Sequence, residues 1–251
     1  MKCILGITTY NRRKYLEHLL DSFTPTHNTN YEWVIIINDD CSTDDTVKFI
    51  ENYNFPCEYH LIKNENRKGV SWGTNNIFYL SQKIGFDVLF RSDDDNFFLN
   101  NGWDDLYINA MNNSGFKHLS YYNSRWKGEN KKIIENDGLI AASNVMESMG
   151  NFYTITPEIL EKVGYMDYQN MGMWGVEHID YSLRCCRLNY NNPQTFWCPK
   201  DCKKFIGMKA GNTYTSSMST IELANERSRD YQKRMIANNN NRIYIPNQNA
   251  Q

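Results

Sequence analysis

The chain has 251 residues, with 27 lysines and arginines against 29 aspartates and glutamates, for a formal net charge of −2. That length allows one large domain or two small ones, either with a substantial core. So even a balance excludes the global basic field of a protein held to nucleic acid or an acidic membrane by charge alone.

Residues 2–9 are an apolar run rich in strand formers, followed by polar Tyr10, Asn11, Arg12 and Arg13. Tyr15, Leu16, Leu19, Leu20 and Phe23 then share one helical face, and Pro25 is expected to stop that helix. Apart from Glu32, residues 31–37 are apolar, as in a parallel strand covered on both faces. They end in Asn38-Asp39-Asp40, and Ser42-Thr43-Asp44-Asp45 supplies an N-cap for a helix carrying Val47, Phe49 and Ile50. A third strand is expected at 57–62, a polar loop with Arg67 and Lys68 at 64–69, a helix at 70–83 and a fourth strand at 86–90. Three strand–helix units and a further strand imply an α/β fold with a doubly wound, mostly parallel sheet.

Beyond Trp103 a helix to about residue 111 is expected, then strands near 117–122 and 131–134 and an alternating stretch at 151–156. Pro157 stands at the first position of a helix over 158–163 that ends at Gly164. Gly172 and Gly175 flank Trp174 in a loop, and residue 177 opens another helix. A mixed-charge helical stretch at 221–236 precedes four asparagines, 238–241. There is no internal repeat and no sign of a second domain.

The fourth strand runs straight into Asp93-Asp94-Asp95. Three adjacent carboxylates repel one another, and burial makes that costlier unless a cation offsets it. Oxygen ligands are what Mg²⁺ and Mn²⁺ prefer, so Asp93 and Asp95 are the candidate metal ligands, with Asp94 in support. A solvated acidic turn is the alternative. In parallel α/β sheets ligands bind beyond the carboxyl ends of the strands. Thr8 to Arg12, Asp39-Asp40, Arg67-Lys68-Gly69 and the three aspartates all fall there, from segments far apart in sequence.

Seven cysteines, without a Cys-x-x-Cys pair or matching histidines, read as reduced thiols with neither a disulfide framework nor a zinc site. The apolar run at residues 1–7 is too short for a signal peptide, and no run approaches the roughly 18 apolar residues of a membrane span. A soluble, cytoplasmic chain without a transmembrane segment is therefore expected, peripheral to a membrane only through a partner.

Thr8-Thr9-Tyr10-Asn11-Arg12, Asn38-Asp39-Asp40-Cys41-Ser42-Thr43-Asp44-Asp45-Thr46 and Asn66-Arg67-Lys68-Gly69-Val70 together resemble the opening of the GT-A fold glycosyltransferases, closest to family two. Cys41 stands where that family's Asp-Asp-Gly-Ser-Thr-Asp segment has glycine. Asp93-Asp94-Asp95 is similar to its Asp-x-Asp metal motif, with Gly102-Trp103 following. Trp174 to Arg184 resembles the acceptor-side Trp-Gly-x-Glu-Asp element of galactosyltransferases and polypeptide N-acetylgalactosaminyltransferases, with His178 in the place of its Asp.

The resemblance implies a Rossmann-like GT-A domain at 1–215, with a nucleotide-binding half at 1–100, an acceptor half at 101–215, and a helical or flexible tail at 216–251. It implies sugar transfer from a nucleotide diphosphate sugar, UDP-linked, to a hydroxyl of a glycan, lipid-linked or protein acceptor. Mn²⁺ or Mg²⁺ on Asp93 and Asp95 would offset charge building on the leaving diphosphate. Thr8, Tyr10 and Arg12 would line the nucleoside pocket, with Asp39 near the uracil or ribose and Asp40 beside it. Arg67 or Lys68 would support the diphosphate, and Trp174 would stack on sugar.

For the base there are three readings: His178 oriented by Glu177 or Asp180, one of those carboxylates itself, or a retaining enzyme without such a base; inversion is favoured. No histidine follows His178 as a further metal ligand, which leaves Asp201, substrate phosphate or water for that part.

Three other functions compete. A glycosyltransferase for hydroxymethylated DNA bases would use basic residues between Lys127 and Lys132 and between Lys200 and Arg234, against the near-neutral total. A nucleotidyltransferase would show a glycine-rich phosphate loop, which Gly6 alone does not make. A degenerate sugar-nucleotide-binding protein would not be expected to keep Asp93, Asp95, Glu177 and Asp180.

Overall fold

A computed structural model of the chain describes residues 1–122, 135–141, 145–171 and 177–209. Its elements run β1 (Lys2–Thr9), α1 (Arg13–Thr26), β2 (Glu32–Asp39), α2 (Thr46–Asn52), β3 (Glu58–Lys63), α3 (Val70–Ile84), β4 (Val88–Asp93), β5 (Asn96–Phe98) and α4 (Trp103–Ser114). Then come β6 (Glu135–Asn136), β7 (Leu139–Ala141), β8 (Phe152–Ile155), α5 (Pro157–Lys162), α6 (Tyr168–Met171), α7 (Glu177–Arg187), β9 (Trp197–Pro199), α8 (Cys202–Phe205) and β10 (Ile206–Met208).

The central sheet has the order β3-β2-β1-β4-β8. Its first four strands are parallel, and β8 joins β4 antiparallel. This is the α/β, Rossmann-like arrangement expected from the strand–helix rhythm. Side chains alternate across the sheet, so each strand feeds two cores. Leu5, Ile7, Trp33, Ile35, Ile37 and Phe90 face α1 and α4, where they pack with Leu16, Phe23, Trp103 and Tyr107. Ile4, Val34, Ile36 and Leu89 face the other way, with Ile77 and Phe78 of α3, Ile159 of α5 and Tyr181 of α7. Helix α3 lies so close that a Cβ on Gly6 would stand 2.5 Å from Ile77 Cγ2, so only glycine fits there.

Some boundaries differ from the sequence expectations. Pro25 lies inside α1, which continues to Thr26; a proline in a last turn ends the ladder without having to precede the helix end. Ser42 to Asp45 supply no side-chain cap bond at the N-cap of α2, although Asp44 Oδ1 accepts from Thr46 N at 3.0 Å. β4 starts two residues later than expected and runs through Asp93, which brings Arg91 and Ser92 into the strand.

Residues 117–122 form one isolated bridge, Ser120 to Tyr153, instead of a strand. The Lys117 and His118 N–H groups donate to Tyr190 O and that of Leu119 to Thr154 Oγ1, so the ladder has competitors. β5 pairs with β10, and β6-β7-β9 form a small sheet; none was anticipated. The expected strand at 131–134, Trp174 and the tail at 216–251 lie outside the described residues.

Candidate active site

The ends of β1, β2 and β4 form one edge. Thr8 pairs in register with Asn38 on one side and Asp93 on the other, and Thr9 pairs with Asp39. Two loops close over this edge. Asn11, at φ +51, accepts from Thr43 N at 2.7 Å and Asp44 N at 3.2 Å, tying the loop after β1 to the loop after β2. Cys41 stands at φ +69, the left-handed region that favours glycine.

The three aspartates occupy the turn between β4 and β5, and the alternation of β4 separates their surroundings. Arg91, Asp93 and Thr8 share one face. The Arg91 guanidinium is buried; it donates to Asp93 Oδ1, to Gly150 O at 2.8 Å and to Thr8 Oγ1 at 2.9 Å. Asp94 turns the other way, accepting from Thr9 Oγ1 at 2.7 Å, with Arg12 Nη1 at 3.2 Å. Arg12 Nη2 donates to Asp95 Oδ2 at 2.9 Å. The turn's backbone is fixed by Asn96, which bonds Ser92 Oγ at 2.9 Å and Asn151 O at 2.6 Å.

Burial pushes the Asp94 carboxyl up to about 7, against the opposing pull of Arg12. Burial also raises the Asp93 carboxyl, with Arg91 countering and Asp95 and Glu177 adding to the rise. Asp94 is thus the inward residue, 2% exposed, and Asp93 and Asp95 face outward with side chains 36% and 19% exposed.

Among the described residues no group of three or more His, Cys, Asp or Glu side chains is placed to hold a metal ion. Two carboxylates do fit a metal that a substrate diphosphate and water complete, the usual manner for Mg²⁺. Asp95 Oδ1 is buried without a hydrogen-bond partner, an acceptor aimed at nothing the described chain supplies. Asp201 is ion-paired to Lys204 at 3.1 Å.

At the end of β2, Asp39 and Asp40 differ sharply. Asp39 accepts from Ser42 N at 2.9 Å through Oδ2, and its buried Oδ1 has no partner among the described residues. Asp40 uses both oxygens, accepting from Asn64 Nδ2, Lys68 N and Gly69 N, each at 2.8 Å. Asp40 therefore holds the 64–69 loop, which presents Arg67 over the Tyr10 ring at 4.1 Å and Lys68 over Trp72 at 5.5 Å. Trp72 in turn meets Tyr168 edge-on at 4.7 Å.

Helix α7 begins with Glu177 and His178. His178 Nδ1 lies 3.6 Å from Glu177 Oε1, and Glu177 Oε2 is buried with no partner among the described residues. Burial pushes the Glu177 carboxyl up, but His178, its own backbone N–H and Arg91 outweigh that, for a net downward shift. The His178 ring packs on Gly150, where an added Cβ would stand 2.4 Å from its Cγ. Asp180 is one turn further on and accepts from Arg184 Nε at 2.9 Å; Arg184 also donates to Val163 O and Tyr165 O. Glu177, His178, Asp93 and Thr8 are thus gathered through Arg91 and Gly150, Asp180 faces the helix packing, and Trp174 lies outside the described residues.

Sequence reasoning missed Arg91 and Gly150. For Arg91 a signal existed: a charged residue inside a covered apolar strand, two positions before Asp93 and so on the same face.

An α/β sheet with four parallel strands and one antiparallel edge strand, with carboxylates gathered at its carboxyl edge, is the architecture of the GT-A glycosyltransferases. Residues 5–173 match the model for glycosyl transferase family 2, and the chain belongs to that family.

Several relatives share part of the sequence. An uncharacterised glycosyltransferase of Acanthamoeba polyphaga mimivirus is 26% identical over 194 residues, 74% of each chain. Abequosyltransferase RfbV of Salmonella typhimurium is 37% identical over 95 residues, 35% of this chain and 27% of its own. The poly(ribitol-phosphate) β-N-acetylglucosaminyltransferase TarS of Staphylococcus aureus is 33% identical over 95 residues, 38% and 16% of the two chains.

Among solved structures, TarS 1–349 in complex with UDP-GlcNAc superposes with TM-score 0.61 at 16% identity, covering 86% of this chain and 62% of its own. A mannosyltransferase of Pyrobaculum calidifontis in complex with GDP-Man and Mn²⁺ gives 0.59 at 15% identity, covering 80% and 55%. These last two likenesses speak to the fold. Among the described residues no helix is long and apolar enough to cross a membrane.

Proposed function

We propose that the chain transfers a sugar from a UDP-sugar to an alcohol hydroxyl of a glycan, lipid-linked or protein acceptor, with inversion and with Mn²⁺ or Mg²⁺. The observation that carries this reading is the row Thr8–Asp93 at the sheet edge, flanked by the unpartnered oxygens Asp39 Oδ1 and Asp95 Oδ1. Asp39 Oδ1 suits a ring N–H or ribose hydroxyl, and Asp95 Oδ1 with Asp93 suits a divalent cation. A metal held there supplies positive charge to the leaving diphosphate. The TarS complex carries UDP-GlcNAc and the mannosyltransferase complex GDP-Man, so both fold likenesses are to users of nucleotide diphosphate sugars.

His178 is the base of this reading. An imidazole accepts a proton readily near neutral pH, and Glu177 on its Nδ1 side leaves Nε2 for the acceptor. The acceptor oxygen bonds to the anomeric carbon, the bond from that carbon to the diphosphate breaks, and the hydroxyl proton passes to His178. Arg91 keeps Asp93 in place, and its charge favours the ionised form of Glu177. Asp180 is left out, because its carboxylate is engaged by Arg184.

Of the basic residues that the DNA reading would use, Lys200 and Lys204 are paired with Glu135 and Asp201, and those at 127–132 and 227–234 lie outside the described residues.

Ligand-induced thermal stabilisation tests the donor class, because a ligand that binds the native state raises its apparent stability. UDP-sugars with Mn²⁺ should raise Tm, and GDP-sugars should not. A response to GDP-sugars alone would reassign the base, and no response to any nucleotide sugar would remove the reading.

A further inference from the structure

The two arginines of the acidic turn are held in different ways. Arg91 has a side chain only 3% exposed and is bonded to Thr8 and a backbone carbonyl as well as to Asp93. Arg12 is 27% exposed and precedes the first turn of α1. Its guanidinium rests on Asp94, Asp95 and the Tyr15 ring, 4.4 Å away, while its buried Nε has no partner among the described residues. One arginine is part of the sheet. The other is fastened chiefly by the carboxylates themselves.

A guanidinium 2.9 Å from Asp95 supplies positive charge to a carboxylate that a divalent cation would also use. A cation arriving alone must share carboxylates that two guanidinium groups already offset. One arriving with a diphosphate brings compensating negative charge, and phosphate oxygens are partners a guanidinium accepts readily. We infer that Arg12 is a resident counter-cation that competes with divalent metal for Asp95 and yields it when metal and diphosphate arrive together. Metal and donor would then bind cooperatively, each raising the affinity of the other by the same factor. The inference rests on the metal reading of Asp93 and Asp95.

The test counts free Mn²⁺ by electron paramagnetic resonance, with and without UDP, without turnover. The native chain should bind Mn²⁺ weakly alone and more than tenfold tighter with UDP. Arg12→Gln should bind Mn²⁺ alone about tenfold tighter than native, since a repelling charge a few ångströms away is gone, and should lose most of the coupling to UDP. Arg12→Lys, which keeps the charge, should keep the native pattern.

Arg12→Gln binding Mn²⁺ alone no more tightly than native would overturn the inference and leave the metal reading standing. A native chain that binds no Mn²⁺ even with UDP would remove both. Should Arg12→Gln fail to fold, the Nε–H resonance of Arg12 in the native chain, assigned through Arg12→Lys, gives the answer. It should move when Mg²⁺ and UDP are added together, and an unmoved resonance overturns the inference.

Discussion

The Thr9 hydroxyl donates to Asp94 Oδ2 across neighbouring strand ends, 85 positions apart in sequence. That bond turns the middle aspartate into the fold while its neighbours stay partly exposed. Asp94→Ala should therefore lower stability by about 1–3 kcal/mol, by leaving Thr9 and Arg12 short of a buried partner. Asp95→Ala should abolish turnover in Mn²⁺ buffer with much less change in stability. Urea unfolding of both variants checks the contrast, and unchanged turnover in Asp95→Ala would sink the assignment of that residue.

His178→Ala should cut transfer by roughly 10²-fold or more with donor binding intact. Gly150→Ala should act on the same ring indirectly, because its Cβ would overlap the imidazole. We expect a fall in kcat of about tenfold with donor KM unchanged, a loss that a 1 Å misplacement can cause. Steady-state kinetics on both variants decide this, and a fully active His178→Ala would move the base to Glu177.

Cys41 occupies a left-handed backbone position, φ +69. Cys41→Gly relieves a strain of about 1–2 kcal/mol but frees the unfolded chain by a comparable amount, so stability should hold or rise by less than about 1 kcal/mol. Cys41→Val, β-branched at positive φ, should lose about 1–2 kcal/mol. Equal stability of the two variants in denaturant titration would contradict the backbone reading.

His118 is buried, with Nδ1 3.0 Å from Thr154 O and Nε2 2.8 Å from Ser182 Oγ. A carbonyl only accepts, so Nδ1 carries the proton and Nε2 accepts from the serine. Burial pulls this imidazole down from 6.5 to about 4. Between those values the unfolded chain binds the proton and the folded chain does not. Stability is full above pH 6.5 and declines as pH falls to about 4, by roughly 3 kcal/mol in all. The unfolding free energy of His118→Gln, measured across that window, should show a shallower slope than native.

The central sheet was legible because covered parallel strands are written as unbroken apolar runs, such as Trp33 to Ile37. The acidic turn was legible because three adjacent aspartates close behind an apolar run mark where a strand ends. The roles of neighbouring carboxylates were not. Asp39 and Asp40 are one residue apart, yet one keeps a free oxygen and the other spends both on the 64–69 loop; only backbone direction decides that. Strands β5, β7, β9 and β10 are three residues long, too short to leave a period.

Arg91 also bears on how the chain finds its fold. Strand β4 is apolar on both faces before the arginine, so hydrophobicity says little about its alignment beside β1. A slip of one residue would exchange the faces and drive the guanidinium into the layer of Phe23, Trp33 and Trp103, away from Thr8 and Gly150 O. An unpaired buried charge there costs several kcal/mol. The arginine thus acts as an alignment key during assembly, penalising the mispaired sheet more heavily than any apolar residue at that position would.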